Sequence, residues 1–407
     1  MIDAAMTEAI SSGLFMETAA IEQYTGKGLT IGTEQLLNFG ACSYLGLETR
    51  PELKDGAERA LREIGTQFPF PRGYVQSPLY AELEDGLDKV TGACALVASN
   101  TTLGHISALP VLVESNDAVV IDQFAHASLQ IATALLDCAE IQHLRHNNVG
   151  QLARILTKAT RSHDRVWYVC DGLYSMLGDL APVQQIRELL DTYPQLHLYL
   201  DDAHSTSWSG SHGRGHALDL LVGHPRVIVA LSLNKAFSAA GGALVFPNRD
   251  LYWKVRRCGG PMLFSGPIQP PMLGAAVASV KLHLSAQFPA LQAAELERIR
   301  TALRLCKELG VPLGSTDETP IFFVPCGPET AAFALVRALR LRGYYACSSV
   351  FPAVPRNHAG IRFTISIHNE QADIEGFISC LAEECARLGI DNQRGVSKRP
   401  PLRRSAA

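Results

Sequence analysis

No two of the ten cysteines in this 407-residue chain form a C-x-x-C pair, and none has the spacing of a zinc site. Cys94, Cys170 and Cys347 stand among apolar neighbours, as the reduced thiols of a cytoplasmic protein do. No metal is therefore expected. The chain also lacks an apolar run long enough to span a membrane. Met1 to Tyr24 has neither the basic nor the apolar region of a signal peptide. A net charge of −4 leaves no electrostatic footprint for nucleic acid. Internal repeats and low-complexity segments are absent as well.

Apolar residues make up 47% of the chain, enough at this length for one large domain and a smaller one. Three β-like runs end in polar groups: Val166-Trp-Tyr-Val-Cys170 leads into Asp171, Leu196-His-Leu-Tyr-Leu200 into Asp201, and Val227 to Leu231 into Ser232-Leu-Asn-Lys235. In an open parallel sheet, ligands bind outside the carboxyl ends of the strands, so these side chains are placed to converge. A lysine there can form an imine with a carbonyl cofactor, and a carboxylate can hold a pyridinium nitrogen protonated. Taken singly, Lys235 would read as a lysine snorkelling from a strand end into solvent. The run Ala93 to Ala98 delivers Ser99-Asn100-Thr101 to a helix-compatible segment, a pattern suited to phosphate.

Ordered landmarks extend this pattern: Tyr44-Leu-Gly-Leu47, Ala125-His-Ala-Ser128, His146-Asn147, Asp171-Gly-Leu-Tyr-Ser-Met176, Gly178-Asp179, Asp201-Asp-Ala-His204, Gly213-Arg-Gly215, Lys235, Pro352-Ala-Val-Pro355 and Arg362. With them the chain resembles the α-oxoamine synthase family over about residues 35 to 390. That family comprises fold-type I enzymes dependent on pyridoxal 5'-phosphate (PLP). The resemblance implies an α/β fold like that of aspartate aminotransferase, with a large, mostly parallel sheet domain and a small α+β C-terminal domain. It implies that Lys235 binds the cofactor aldehyde and serves as acid and base, with Asp201 at the pyridine nitrogen. His126 would stack on the ring, and His204 would sit at its phenolic oxygen with Ser175 near; a lone histidine without motif position would read as a core or surface residue. Asp171 would help to bind the cofactor. Ser99, Asn100, Thr101 and Ser232 would hold the phosphate, completed by Ser265 and Gly266 of a neighbouring subunit in a homodimer.

The activity implied is decarboxylative condensation of an amino acid with an acyl thioester, on coenzyme A or a carrier protein, to give an aminoketone. Arg362, on the strand from Gly360 to Ile367, would clamp the amino acid carboxylate, the alternative being an edge-strand arginine in water. Gly40-Ala-Cys-Ser-Tyr44 stands where the family commonly reads Ser-Asn-Asp-Tyr, so Cys42 replaces a polar group expected near the substrate carboxylate. Phe68-Pro-Phe-Pro-Arg-Gly-Tyr74 replaces a glycine- and serine-rich loop, which favours an apolar acyl group and a role in secondary metabolism or signal-molecule synthesis. Arg72 in that loop either binds substrate or faces solvent. An aminotransferase on the same fold would also use Lys235 and Asp201. A non-catalytic scaffold subunit would have no need of Lys235.

The expected organisation is an arm over residues 1–50, a large domain over 51–285, a small domain over 286–390 and a disordered basic tail over 391–407.

Overall fold

A computed structural model of the chain describes residues 2–21 and 24–391, so the tail from residue 392 onward lies outside the described residues. Contacts divide the chain into two units. The larger holds Cys42–Ser175 and Asp179–Glu295; the other holds the residues up to Ala41, Met176–Gly178, and those from Leu296 onward. The divisions thus fall at 41/42 and at 295/296, the second inside the helix Phe288–Glu308. Gly178 joins the small unit because its backbone lies on that of Ile321, and its carbonyl accepts the Thr319 hydroxyl at 2.7 Å.

Seven strands build the large unit's sheet: β1 (Cys94–Ala98), β2 (Ala118–Asp122), β3 (Glu140–Leu144), β4 (Val166–Asp171), β5 (Leu196–Asp201), β6 (Val227–Ser232) and β7 (Gly242–Phe246). Their order is β1-β7-β6-β5-β4-β2-β3. Pairing is parallel from β6 to β3, and only β7 runs against its two neighbours.

Both faces of the sheet are covered, which is why these runs are almost wholly apolar. Alternation sends Tyr168, Cys170, Leu198, Leu200, Val229 and Leu231 into one cluster, with the helices Pro78–Thr91, Val183–Thr192 and Pro270–His283. Val169, Tyr199, Ile228 and Ala230 enter the other, beneath α1 (Thr101–Leu112) and α2 (Ala127–Thr133). The last residues of β4, β5 and β6, namely Asp171, Asp201 and Ser232, share the parity of this second group. They therefore face α1 and α2.

Helix starts follow local chemistry. Pro51–Ile64, Pro78–Thr91 and Pro270–His283 each open on proline, whose missing N–H is no loss in a first turn. The Asn100 side chain caps α1 by accepting from Leu103 N at 2.8 Å.

In the small unit, β8 (Ile321–Gly327), β9 (Cys347–Ser349) and β10 (Ala359–Thr364) form an antiparallel sheet in the order β8-β10-β9. Helices Glu329–Leu341 and Gln371–Leu388 belong to the same unit. Arg362 lies on the central strand, β10, and is 5% exposed, so it is not an edge-strand arginine in water.

Candidate active site

Asp171 and Asp201 are direct register partners at the ends of β4 and β5. Lys235 follows the end of β6 by three residues, on a turn held from several sides. Asn234 donates its N–H to Ser232 Oγ at 3.2 Å and accepts from Gly241 N at 2.7 Å through its own Oδ1. Ser207 Oγ donates to Ala236 O at 3.1 Å and Ser279 Oγ to Phe237 O at 2.7 Å, so the two carbonyls after the lysine are fixed as well. Lys235 itself is half-buried, and its charge acts on both aspartates.

The two carboxylates are pushed apart. Burial alone would raise Asp201, but His105, at 2.9 Å, outweighs it together with Lys235 and His126, and Asp201 is held well below the usual carboxylate range. Asp171 moves the other way: burial, joined by the neighbouring Asp201 charge, drives it well above that range, against the His126 N–H and Lys235. Adjacent acids driven in opposite directions make a polarised site.

His126 opens α2. Its backbone N–H donates to Asp171 Oδ1 at 3.0 Å, and its ring Nδ1 is 2.7 Å from Ser128 Oγ. His126 is exposed as a residue, yet the protein around its ring lowers its pKa, chiefly by desolvation, with Lys235 and His105 adding and Asp201 opposing. His204 is buried; its Nδ1 lies 2.9 Å from the Tyr44 hydroxyl and its carbonyl accepts from Trp208 Nε1 at 2.7 Å. Ser175 is half-buried, in the loop after β4.

The residues expected at the phosphate have partners within the chain. Ser99 Oγ donates to Gly266 O at 2.8 Å, Thr101 Oγ1 donates to Leu231 O at 3.2 Å, and the Asn100 side chain is the helix cap. The two hydroxyl protons are engaged, so what remains here for an anion is the first-turn amides of α1 and the Ser232 hydroxyl, which accepts from Asn234 N and keeps its own proton. A Cβ on Gly242 would stand 2.6 Å from Thr101 N; only glycine lets β7 pass this close to the helix start. Gly266, expected to serve a neighbouring subunit, lies against Ser99 of its own chain.

Arg72 neither faces solvent nor keeps its charge for a ligand. It is 7% exposed, pairs with Glu84 Oε1 at 3.0 Å, donates to Val97 O and lies 3.7 Å over the Tyr80 ring. Cys42 is half-buried at the first position of the large unit, and Arg362 belongs to the small unit. Among the described residues no group of three or more His, Cys, Asp or Glu is placed to hold a metal, and no helix is long and apolar enough to cross a membrane.

Sequence reading missed His105, Tyr199 and the Tyr44 contact to His204. A signal existed for the first two: Tyr199 stands two residues before Asp201, on the same face of β5, and His105 lies one turn beyond the start of α1.

The family model for class I and II aminotransferases matches residues 34–377. An 8-amino-7-oxononanoate synthase from Maricaulis maris is 32% identical over 353 residues, 85% of this chain and 86% of that one. One from Thermoanaerobacter pseudethanolicus is 26% identical over 388 residues, 95% and 96% of the two chains. In three dimensions, the serine palmitoyltransferase of S. paucimobilis, solved with a bound PLP-myriocin aldimine, superposes with a TM-score of 0.87 over 95% of this chain and 97% of its own, at 22% identity. At that identity the match speaks for the fold.

Proposed function

Because the chain belongs to the class I and II aminotransferase family, among its α-oxoamine synthases, we propose that the lysine-aspartate site at the ends of β4, β5 and β6 binds PLP and condenses an amino acid with an acyl thioester. The observation that carries this reading is Asp201, a buried carboxylate kept ionised beside a half-buried lysine. An ionised acid in that position suits a pyridinium partner, and the Lys235 amine suits an aldehyde.

In this assignment Lys235 would hold the cofactor's aldehyde carbon and Asp201 the proton on the ring nitrogen. His126 would cover a ring face, His204 and Ser175 would serve the phenolic oxygen, and the α1 amides and Ser232 would take the phosphate. Asp171 keeps His126 in place through the backbone N–H it accepts. When bound, PLP supplies an electron sink for the amino acid's α-carbon. Lys235 removes and returns the proton at that carbon. His126 would exclude water from the reacting face, where desolvation disfavours its charged form. The buried guanidinium of Arg362 is assigned to the amino acid carboxylate on chemistry, since it matches two oxygens at once. The new bond joins the α-carbon to the acyl carbon, the carbon-sulfur bond breaks to free the thiol, and the carboxylate leaves as carbon dioxide.

Exposed Phe70, Tyr74 and Val75, beside a loop whose Gly73 N–H donates to Leu263 O at 3.1 Å, favour an apolar acyl group, as in secondary metabolism or signal-molecule synthesis. With Phe264, 67% exposed, they also present the apolar surface that a homodimer would cover. The setting we assign is the cytoplasm, where the ten cysteines would stay reduced.

The test is to supply PLP-loaded protein with single amino acids and acyl thioesters of rising chain length, and to follow thiol and carbon dioxide together. Equal release of both, steepening with chain length, supports the reading. Formation of a 2-oxo acid without carbon dioxide would replace it with an aminotransferase.

A further inference from the structure

His105 is wholly buried in α1 and bonded at both ring nitrogens: Nε2 lies 2.9 Å from Asp201 Oδ2, and Nδ1 lies 2.9 Å from the Tyr199 hydroxyl. In a neutral imidazole these two bonds allow one tautomer. A carboxylate can only accept, so Nε2 carries the proton and Nδ1 accepts from the phenol. Tyr199 can fill that role because it is fully buried, and burial with the nearby Asp201 charge keeps its O–H protonated. The ring is also fixed sterically, with the Tyr199 ring set edge-on at 5.6 Å. The other carboxylate oxygen, Oδ1, accepts from Ala203 N at 2.9 Å. Asp201 is therefore gripped by one rigid side-chain donor from α1 and one backbone donor from its own turn.

We propose that His105, oriented by Tyr199, is a positioning residue that fixes the Asp201 carboxylate and, through it, the proton on the cofactor's ring nitrogen. This rests on Asp201 being the partner of that nitrogen. The geometry favours a relay over a merely space-filling histidine for two reasons. A buried apolar residue would fill the volume without leaving polar atoms to satisfy. Here three polar groups from two elements are instead arranged in a line ending on the functional acid. Without His105, Asp201 would be a buried carboxylate lacking its principal side-chain donor, and would take up a proton more readily.

The experiment loads wild type, His105→Leu, His105→Gln, Tyr199→Phe and Asp201→Asn with PLP labelled with ¹⁵N at the ring. It measures the ¹⁵N chemical shift, the PLP dissociation constant, and kcat and KM for the amino acid. For His105→Leu the expected results are a resonance moved toward the unprotonated position, about tenfold weaker PLP binding and about tenfold lower kcat with KM nearly unchanged. His105→Gln, which keeps an N–H donor, should lie between it and wild type, and Tyr199→Phe should shift the same readouts by about threefold or less. A wild-type resonance and PLP affinity in His105→Leu would overturn the inference. Should that variant fail to fold, wild-type values in both His105→Gln and Tyr199→Phe would do so. Asp201→Asn separates the two levels: if it leaves the resonance unmoved, Asp201 is not the ring partner and the site assignment itself falls.

Discussion

Two buried histidine-aspartate networks stand at the carboxyl ends of the same sheet, and they are built for different ends. His146 lies between two acids, with Nδ1 3.1 Å from Asp122 and Nε2 2.6 Å from Asp179, and Asn147 bonds to both acids as well. Burial works against its charge, but the two carboxylates prevail and push its pKa up to about 9. Such an imidazolium donates at both nitrogens and its charge is consumed inside the cluster. His105 has one acid and one phenol, and the Asp201 carboxylate it holds also interacts with the charges of Lys235 and His126. A second carboxylate makes a histidine network a structural clamp; a phenol in its place leaves a charge directed outward.

The sharpest way to break this comparison is at the outward end. Lys235→Ala should lower thiol release by about 10²–10⁴-fold, the range for loss of a positioned acid-base group, and abolish the visible absorbance of bound PLP. Retention of both would remove Lys235 from the chemistry. Next in size, Asp201→Asn keeps the shape and removes the charge, and about 10²–10³-fold should be lost from kcat with KM for the amino acid little changed. The matching change in the clamp, His146→Gln, should leave kcat within about threefold while lowering stability by about 3 kcal/mol in urea unfolding at pH 6.5, because buried Asp122 and half-buried Asp179 lose their cation.

The clamp also has a pH signature. The His146 pKa is higher in the folded state than its ordinary value of 6.5. Its contribution is therefore fully present below about pH 6.5 and is lost as pH rises through about 9, a fall of about 3 kcal/mol that should vanish in His146→Gln. A fall of the same size in both proteins would show that the window belongs to other groups. The smallest effect is expected from Ser128→Ala, which removes the hydroxyl at His126 Nδ1 while the N–H of residue 128 stays on it, and should cost about threefold to tenfold in kcat without changing the unfolding free energy in urea by more than about 1 kcal/mol.

Much of the fold was legible because its signals are local. The runs ending in Asp171, Asp201 and Lys235 form adjacent strands, and their apolar continuity reflects a sheet covered on both faces. The helix after Thr101 and the small unit's strands near Ile321 and Arg362 were equally readable. The donors at the phosphate were not. Whether the Ser99 and Thr101 hydroxyls are available depends on the carbonyls of Gly266 and Leu231, more than a hundred residues away in the chain. Arg72 stayed open between substrate and solvent for the same reason: its partner Glu84 lies on a helix whose face toward the loop no local pattern reports.

The sequence by itself determined the order of strands and helices, the lysine and two aspartates at strand ends, and the family in which they recur, since periodicity and motif spacing are properties of short stretches. Only the tertiary structure decided which aspartate stays charged. Asp171 and Asp201 end similar strands and share a register position, and they differ in the helix residue that reaches each: a ring nitrogen of His105 for one, a backbone N–H of His126 for the other. That difference is one of distance and burial across the fold, and Coulomb energies in a low-dielectric interior depend on both.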